Sequence, residues 1–355
     1  MKFYFKKYML FVVALSLVSL PIELLVTQAY AQEGASKSKN IKKVSYQKNQ
    51  ARKDKLKASQ LAWSEQRAKD LGEHYDGSSL PQLASDKVLV VSQNTGEIKY
   101  AKNSNIVSPI ASITKLMTAM VVLDARQPFD EIIDISEQDV DTIKGTSSRL
   151  GLGTQLSRGD MFRLALMSSE NRAAFSLARH YPGGRSAFVK AMNVKALALG
   201  LTNSNFAEPT GLMYQNTSTA EDLYKLVAAS YQYPEIRNAT TTPFYHLSIS
   251  GRANPVEFKN TNVLVRDGEW DIGLSKTGFI NEAGRCLVMQ TTMAGEPIIM
   301  IFLNADGTNK RTGDANRIRK WVEYNHAHEL IANQGIVNQK VVHPKLVMSG
   351  QIYQN

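Results

Sequence analysis

Strand-like runs flank a long helical stretch in the middle of this chain. Val88-Leu-Val-Val91, the turn signal Asn94-Thr-Gly96 and the run Ile98-Lys-Tyr100 predict a hairpin. From about residue 113 to 235, apolar residues instead recur at helical spacing. We therefore predict a fold of the α/β class, more narrowly α+β. It is an antiparallel sheet flanked by helices, with an all-helical subdomain inserted between its strands.

Individual elements follow from the same periodicity. The central stretch predicts helices at Met161 to Arg179, Arg185 to Leu199 and Thr219 to Tyr231. A cleft between the sheet and the helical subdomain is the expected place for a binding site. Further strands are predicted at Val263 to Val265, Gly273 to Lys276, Cys286 to Thr292 and Ile298 to Leu303, before a final helix from about Gly313 to Ala332.

The first residues carry the pattern of an export signal. Three lysines precede the uncharged run Met9 to Leu20, Pro21 ends that run, and Ala29-Tyr30-Ala31 fits a small-x-small cleavage site. An uncleaved membrane anchor is the alternative, but the run is short for a span and Glu23 interrupts its continuation. We predict a signal peptide over residues 1–31, a periplasmic protein, and no stable membrane anchor after cleavage.

A basic, polar segment follows over residues 32–75. It has eight lysines between positions 37 and 57 and almost no large apolar side chains, so it cannot bury enough surface to fold alone. We predict a flexible linker ending in a short helix from about 61 to 75; a polycation that holds the protein near an anionic envelope is the second interpretation. The folded domain is predicted over 76–332 and a tail over 333–355. The net charge of +10 would also suit nucleic acid, but export argues against that partner.

Three short motifs follow one another along the predicted domain: Ser112-Ile-Thr-Lys115, Ser169-Glu-Asn171 and Lys276-Thr-Gly278. Together they supply a nucleophile, a base, a proton relay and an anion clamp, which is enough for acyl transfer through a serine ester. Ser-x-x-Lys occurs three times in the chain, but the other two copies lie in the basic segment. The chemistry needs no metal, cofactor or histidine.

Ser112 and Lys115 are three residues apart, so a helix would place the hydroxyl and the amine on one face. Free N–H groups at a helix start favour an attacking alkoxide. The same positive field, together with burial, is expected to lower the pKa of Lys115. A neutral lysine can then take the serine proton. Taken alone, the pair fits a helix N-cap serine and a solvated lysine.

Ser169 and Asn171 come directly after an apolar helical pattern, on a predicted loop or turn. A second hydroxyl can pass the proton to a leaving amine. An Asn amide can hold both a lysine and a substrate carbonyl. Without the other motifs, these two residues would be ordinary helix caps.

Lys276-Thr-Gly278 ends a predicted edge strand. Lys276 and Thr277 could clamp a carboxylate there, and Gly278 would permit a close backbone approach. The N–H of Phe279 would join that of Ser112 in an oxyanion hole. The tripeptide alone would be an ordinary strand end. The prediction depends on the order of the three motifs and on their helix, loop and strand contexts.

In these motifs the chain resembles the low-molecular-weight penicillin-binding proteins, the serine D-Ala-D-Ala peptidases. Pro209-Thr-Gly-Leu212 and Ser218-Thr-Ala-Glu-Asp222 look like two further signatures of that family. The stretches Trp270 to Cys286 and Met167 to Ala174 are similar to its D-alanyl-D-alanine endopeptidases, the penicillin-binding proteins of type 7. The resemblance covers about residues 80 to 330 and implies a penicillin-binding-protein/β-lactamase-like fold.

The resemblance also implies a reaction and its residues. The substrate would be peptidoglycan stem peptides and their D-Ala-diaminopimelate cross-links, with β-lactams as covalent inhibitors and no cofactor or metal. By resemblance, Ser112 is the nucleophile, Lys115 the base, Ser169 and Asn171 relay protons and orient the substrate, and Lys276 and Thr277 bind its carboxylate.

Four alternatives stand beside cleavage of cross-links. A D-alanyl-D-alanine carboxypeptidase trimming pentapeptide stems would use the same clamp, because both leaving groups carry a carboxylate. A serine β-lactamase would need an extra base. Glu170 and Glu208 are candidates, but both are interpreted as structural, because Glu170 sits inside the second motif and Glu208 precedes a family signature, so slow β-lactam release is predicted. A non-catalytic cell-wall scaffold would need none of the motifs. A zinc peptidase is disfavoured, because His326 and His328 stand two apart and no His-Glu-x-x-His pattern occurs. Cys286, in an apolar run, is predicted to be a core residue rather than a catalytic thiol.

Overall fold

The computed structural model describes residues 51–333 of the chain. The chain divides into two compact units, Met1–Gln66 and Arg67–Asn355. The predicted signal peptide and most of the predicted tail lie outside the described residues. Within residues 51–333, no helix has the length and apolar character needed to cross a bilayer.

The prediction of a flexible linker over 32–75 needs a correction. Residues 51–66, the described part of the first unit, are helical, and so are residues 67–70 of the second unit. The reason is local composition, because residues 51–70 contain Ala, Lys, Gln, Leu and Arg but neither Gly nor Pro. Helix formers can therefore make a helix whose side chains stay exposed, even without a core of their own.

A five-stranded antiparallel sheet, with strand order β2-β1-β11-β10-β9, organises the second unit. The predicted hairpin near residues 88–100 is its β1–β2 pair. Because β9 is an edge strand, the Lys276-Thr-Gly278 motif lies at the rim of the sheet, as predicted. The strands of this sheet are β1 (Ser85–Ser92), β2 (Ile98–Lys102), β9 (Ile272–Ile280), β10 (Gly284–Met293) and β11 (Glu296–Ala305).

Helices lie between β2 and β9, and one long helix follows β11. The predicted insert between the strands of the sheet is therefore confirmed, although it also contains three short strand pairs and is not all-helical. The helices are α1 (Lys115–Asp124), α2 (Arg158–Met167), α3 (Asn171–Arg179), α4 (Gly184–Ala198), α5 (Ala220–Ser230), α6 (Pro234–Thr241), α7 (Val263–Asp267) and α8 (Lys310–Asn333). Short strand pairs join β3 (Ser108–Pro109) to β6 (Thr217–Ser218), β4 (Ile132–Asp134) to β5 (Gln155–Ser157), and β7 (Phe244–Leu247) to β8 (Val256–Lys259).

Both faces of the sheet are covered. On β1, Leu89 and Val91 belong to the core that the sheet shares with the helical insert. Val88 and Val90 belong to a second core, which includes Ile318 of α8. Successive side chains of a strand point to opposite faces, so a strand covered on both sides needs a continuous apolar run.

Two predicted elements are wrong in detail. Val263 to Val265, predicted as a strand, begins the short helix α7. The Asn262 side chain accepts a hydrogen bond from the N–H of Leu264 (3.1 Å) and caps that helix, which outweighs the β-branched residues. The single helix predicted from Met161 to Arg179 is interrupted between α2 and α3, where Ser169 adopts a φ of +59°.

We expect Gly313→Ala to destabilise the protein, although alanine is favoured over glycine in a helix by about 1 kcal/mol. A Cβ on Gly313 would lie 1.7 Å from the carbonyl oxygen of Asp70, so the segment around Asp70 must move away from α8. The expected loss is about 2 kcal/mol in the free energy of unfolding, measured by urea denaturation.

Gly295→Ala is the matched control for this substitution. A Cβ there would meet no atom within 4 Å, so its cost comes only from the left-handed backbone (φ +77°). A Gly313→Ala protein more stable than the wild type would contradict the packing of Asp70 against α8.

Candidate active site

Ser112 and Lys115 meet at the junction of a 3-10 turn and a helix. Ala111–Thr114 forms the turn, and α1 begins at Lys115. The Lys115 amine lies 3.0 Å from the Ser112 hydroxyl oxygen and donates a hydrogen bond to it. The predicted contact between the two side chains is present, with a tighter turn than the helix start we expected. Ala111 has a φ of +47°, an uncommon backbone conformation held by the surrounding contacts.

The Lys115 amine is fully buried and binds neutral acceptors. Besides Ser112, it donates to the Asn171 side-chain oxygen (2.8 Å) and to the main-chain oxygen of Thr210 (2.8 Å). Burial lowers the pKa of Lys115 to about 7, although the charges of Glu208, Glu170 and Asp141 oppose that shift. A neutral amine is therefore available near neutral pH, as a general base requires.

Ser169 and Lys276 form a second pair beside the first. The Lys276 amine donates to the Ser169 hydroxyl (2.9 Å) and to the main-chain oxygen of Thr277 (2.9 Å). Lys276 is almost fully buried, and this burial, with the positive charges of Lys115 and Arg311, holds its pKa well below the usual value. The structure thus joins the second and third motifs directly through a lysine and a serine.

The edge strand β9 packs closely against the Ser112 turn. A Cβ on Gly278 would lie 3.0 Å from the main-chain nitrogen of Ser112, so glycine allows this approach, as predicted. Thr277 is mostly buried and its hydroxyl donates to that of Thr261 (2.6 Å). Phe279 is half exposed, with the Arg285 guanidinium stacked 4.6 Å from its ring centre.

A loop that the motifs did not reveal orients Asn171. The Asn171 side-chain amide donates to the Thr146 hydroxyl (3.0 Å), which in turn donates to the Asp141 carboxylate (2.6 Å). Asp141 also accepts main-chain N–H groups from residues 143, 144 and 146, and these hydrogen bonds lower its pKa against the effect of burial. The sequence around Asp141 and Thr146 has no pattern that predicts contact with Asn171. The contact forms only because the chain between them folds back through α2.

Two more contributors escaped sequence reasoning. The Thr210 carbonyl is a main-chain group, so only its place in the Pro209–Leu212 signature could have drawn attention to it. The Arg311 guanidinium donates to the main-chain oxygens of Gly278 (2.9 Å) and Cys286 (3.1 Å), and burial together with Arg285 lowers its pKa to about 10. Arg311 adds positive charge behind the end of β9, yet it lies far from the motifs in sequence.

The remaining candidates make no hydrogen bond to the side chains of Ser112, Lys115, Ser169 or Lys276 within residues 51–333. Cys286 is fully buried and burial raises its pKa to about 11, which confirms the prediction of a core residue. Glu170 is mostly buried and accepts a hydrogen bond from Ser148 (2.6 Å). Among residues 51–333, no group of three or more His, Cys, Asp and Glu side chains is arranged to hold a metal ion.

The sheet with its helical insert, and a serine paired with a buried lysine between them, define a serine peptidase of the penicillin-binding-protein class. Residues 74–307 match the model of the peptidase S11 family, described as D-alanyl-D-alanine carboxypeptidase. The chain belongs to this family, and the resemblance found in its motifs is confirmed.

The similarity extends to individual relatives. The chain is 51% identical over 242 residues to the D-alanyl-D-alanine endopeptidase of Pseudomonas aeruginosa, covering 68% of this chain and 78% of the relative. It is 49% identical over 246 residues to the protein of that name from Escherichia coli, covering 69% and 79%. Penicillin-binding protein D2 of Listeria monocytogenes, solved with ampicillin bound, has a TM-score of 0.57 and 29% identity over 69% of this chain and 98% of that one.

Thr146→Val tests whether the loop orients Asn171. The substitution keeps the side-chain shape but removes the hydroxyl that links Asn171 to Asp141. We expect labelling by a fluorescent penicillin to slow about tenfold, the effect of one lost hydrogen bond, while the melting temperature changes little because Thr146 is exposed. Thr142→Val, at another exposed threonine of the same loop, is the control. Equal labelling rates in the two variants would contradict the role of Thr146.

Proposed function

We propose that the protein is a periplasmic serine D,D-endopeptidase that hydrolyses D-Ala-diaminopimelate cross-links in peptidoglycan through an acyl-enzyme on Ser112. The observation that carries the proposal is the Lys115 amine, buried and 3.0 Å from the Ser112 hydroxyl. Its lowered pKa suits a base that activates a serine. Relatives about half identical to this chain carry the endopeptidase name.

The acylation step begins with proton transfer from the Ser112 hydroxyl to the neutral Lys115 amine. The serine oxygen then attacks the D-Ala carbonyl carbon, and the carbonyl oxygen takes up the negative charge. The main-chain N–H groups of Ser112 and Phe279 stabilise this oxyanion, since Gly278 brings β9 against the serine turn. Collapse of the tetrahedral intermediate breaks the amide bond and leaves an ester on Ser112.

Ser169 delivers the proton that the leaving amine requires, and the proton that Lys115 took from Ser112 replaces it, so that Lys115 is neutral again. Its hydroxyl oxygen accepts from Lys276, so its own hydrogen is available for donation into the cleft. Asn171 holds Lys115 through its side-chain oxygen and keeps its amide nitrogen on the Thr146 side. Water then attacks the ester with Lys115 again as base, which restores Ser112 and releases the shortened stem peptide.

Lys276 and Thr277 attract the carboxylate next to the scissile bond. Within residues 51–333, the Arg311 guanidinium donates its hydrogen bonds only to main-chain oxygens. Its charge therefore adds to the positive potential. A diaminopimelate leaving group and a terminal D-Ala both carry such a carboxylate. The alternative, a D-alanyl-D-alanine carboxypeptidase, therefore uses the same cluster, and the family description favours it.

β-Lactams are proposed to acylate Ser112, because the ampicillin-bound relative shares the fold of this chain. Slow release of the drug is expected. The Glu170 carboxylate is bound by Ser148, and the Glu208 carboxylate is surrounded by main-chain and side-chain donors. Neither is placed as the extra base of a β-lactamase. A cell-wall scaffold, in turn, would have no use for a buried lysine prepared to lose its proton.

Digests of purified muropeptides test the proposed function. The wild type is expected to convert the D-Ala-diaminopimelate cross-linked dimer to monomers, and chromatography measures the rate of this conversion. In Ser112→Ala the rate is expected to fall at least 1,000-fold, about the effect of removing a serine nucleophile. Ser250→Ala, at an exposed serine, is the control. Release of D-Ala from a monomeric pentapeptide, with the dimer left intact, would instead make the protein a carboxypeptidase.

The pH dependence of acylation reports on Lys115. Below its pKa of about 7 the amine is protonated and cannot accept the Ser112 proton, so the labelling rate is expected to fall about tenfold per pH unit. Above that pH the rate levels off. Lys115→Arg should be inactive across the range, because a guanidinium stays charged, whereas Lys190→Arg, at an exposed lysine, should follow the wild type. A rate independent of pH between about 5 and 8 would contradict Lys115 as the base.

A further inference from the structure

Glu208 is a buried carboxylate that the proposed reaction does not touch. One carboxylate oxygen accepts from the N–H (2.7 Å) and the hydroxyl (2.5 Å) of Thr210. The other accepts from the N–H of Gly211 (2.5 Å) and the side-chain amide of Asn216 (2.8 Å). Only 6% of Glu208 is exposed, so these donors take the place of water around the charge.

A single peptide group separates Glu208 from the catalytic lysine. The Thr210–Gly211 peptide donates its N–H to Glu208 and accepts the Lys115 amine at its carbonyl oxygen (2.8 Å). In a trans peptide the N–H and C=O point in opposite directions, so the carboxylate and the amine lie on opposite sides of one rigid plane. Hydrogen bonds in such a chain polarise one another.

The same carboxylate is tied to the turn that carries Ser112. Asn216, which donates to Glu208, also donates to the Thr114 hydroxyl (3.2 Å), and Thr114 donates to the main-chain oxygen of Ala111 (2.8 Å). Gly211 touches this turn as well, since a Cβ there would lie 1.9 Å from the Ala111 oxygen. The position of the Thr210 carbonyl is therefore fixed relative to the nucleophile.

We propose that Glu208 is a positioning residue for the general base: by fixing the Thr210–Gly211 peptide, it holds the Thr210 carbonyl where it directs the Lys115 amine at Ser112. The proposal rests on the proposed function, in which Lys115 is the base. It also gives a functional role to a residue that sequence reasoning interpreted as structural.

Charge adds a second effect to this positioning. Burial lowers the pKa of Lys115, and the carboxylates of Glu208, Glu170 and Asp141 oppose that shift. The charge of Lys115 in turn helps to lower the pKa of the neighbouring Lys276. Removing the Glu208 charge is therefore expected to lower the pKa of Lys115. A lysine with a lower pKa loses its proton at lower pH but is a weaker base.

Two charge-distinct variants separate positioning from folding. Glu208→Gln removes the charge and replaces one acceptor with an amide donor, whereas Glu208→Asp keeps the charge on a shorter side chain. The first measurement is the titration of Lys115 in the full protein, observed by NMR of lysine labelled with ¹³C at Cε. The Lys115 signal is assigned by its loss in Lys115→Arg. The second is the pH dependence of labelling by a fluorescent penicillin. Glu221→Gln, at an exposed glutamate of α5, is the control.

In Glu208→Gln, we expect the Lys115 titration and the acid limb of labelling to move down by about one pH unit, with a plateau rate roughly tenfold lower. Glu208→Asp should keep the acid limb of the wild type, with a lower plateau. Unchanged titration and plateau in a folded Glu208→Gln protein would overturn the proposal and leave the serine peptidase assignment intact. If the wild type is not labelled at all, the proposed function fails, while the NMR titration still decides whether Glu208 acts on Lys115.

Discussion

The burial of the Lys115 amine among neutral oxygens is the interaction on which the rest of the site depends. Its partners come from distant parts of the chain: the turn before α1, the start of α3 and the segment after α4. A buried amine without such partners would cost several kcal/mol. The fold must therefore bring three separate segments to one point, and the sheet edge closes the fourth side through Gly278.

The site concentrates basic side chains where a folded protein normally avoids them. Lys115 and Lys276 are both buried, and the charge of Lys115 adds to burial in lowering the pKa of Lys276. Their partners are hydroxyls, an amide and main-chain carbonyls, which satisfy hydrogen bonds without neutralising charge. Strained backbone at Ala111 and Ser169 lies in the same region, as is usual where packing imposes functional geometry. In the proposed reaction a substrate carboxylate would supply the missing negative charge, so that binding and reactivity would share one cluster.

Sequence reasoning reached the architecture because the apolar patterns are strong and long. The alternation between two cores along β1 and the spacing within the helical insert left few other folds open. It also identified the side chains of the three motifs, because their residue types indicate their chemistry. It failed where the decisive group is main chain, as at the Thr210 carbonyl, or where a cap overrides propensity, as at Asn262. It could not place Asp141 beside Asn171, because only the tertiary fold closes that distance.

The catalytic cluster alone does not distinguish an endopeptidase from a carboxypeptidase. An endopeptidase and a carboxypeptidase both bring a D-Ala carbonyl to Ser112, and both expel an amine that carries a carboxylate. The two leaving groups differ in size beyond that carboxylate, so discrimination must come from exposed groups at the rim of the cleft. Phe279, near the end of β9, is half exposed. Lys144, in the loop that orients Asn171, pairs with Glu282 in the β9–β10 turn (2.5 Å) and so joins that loop to the end of the sheet edge. Because an exposed ion pair contributes at most about 1 kcal/mol, this link can open at small cost.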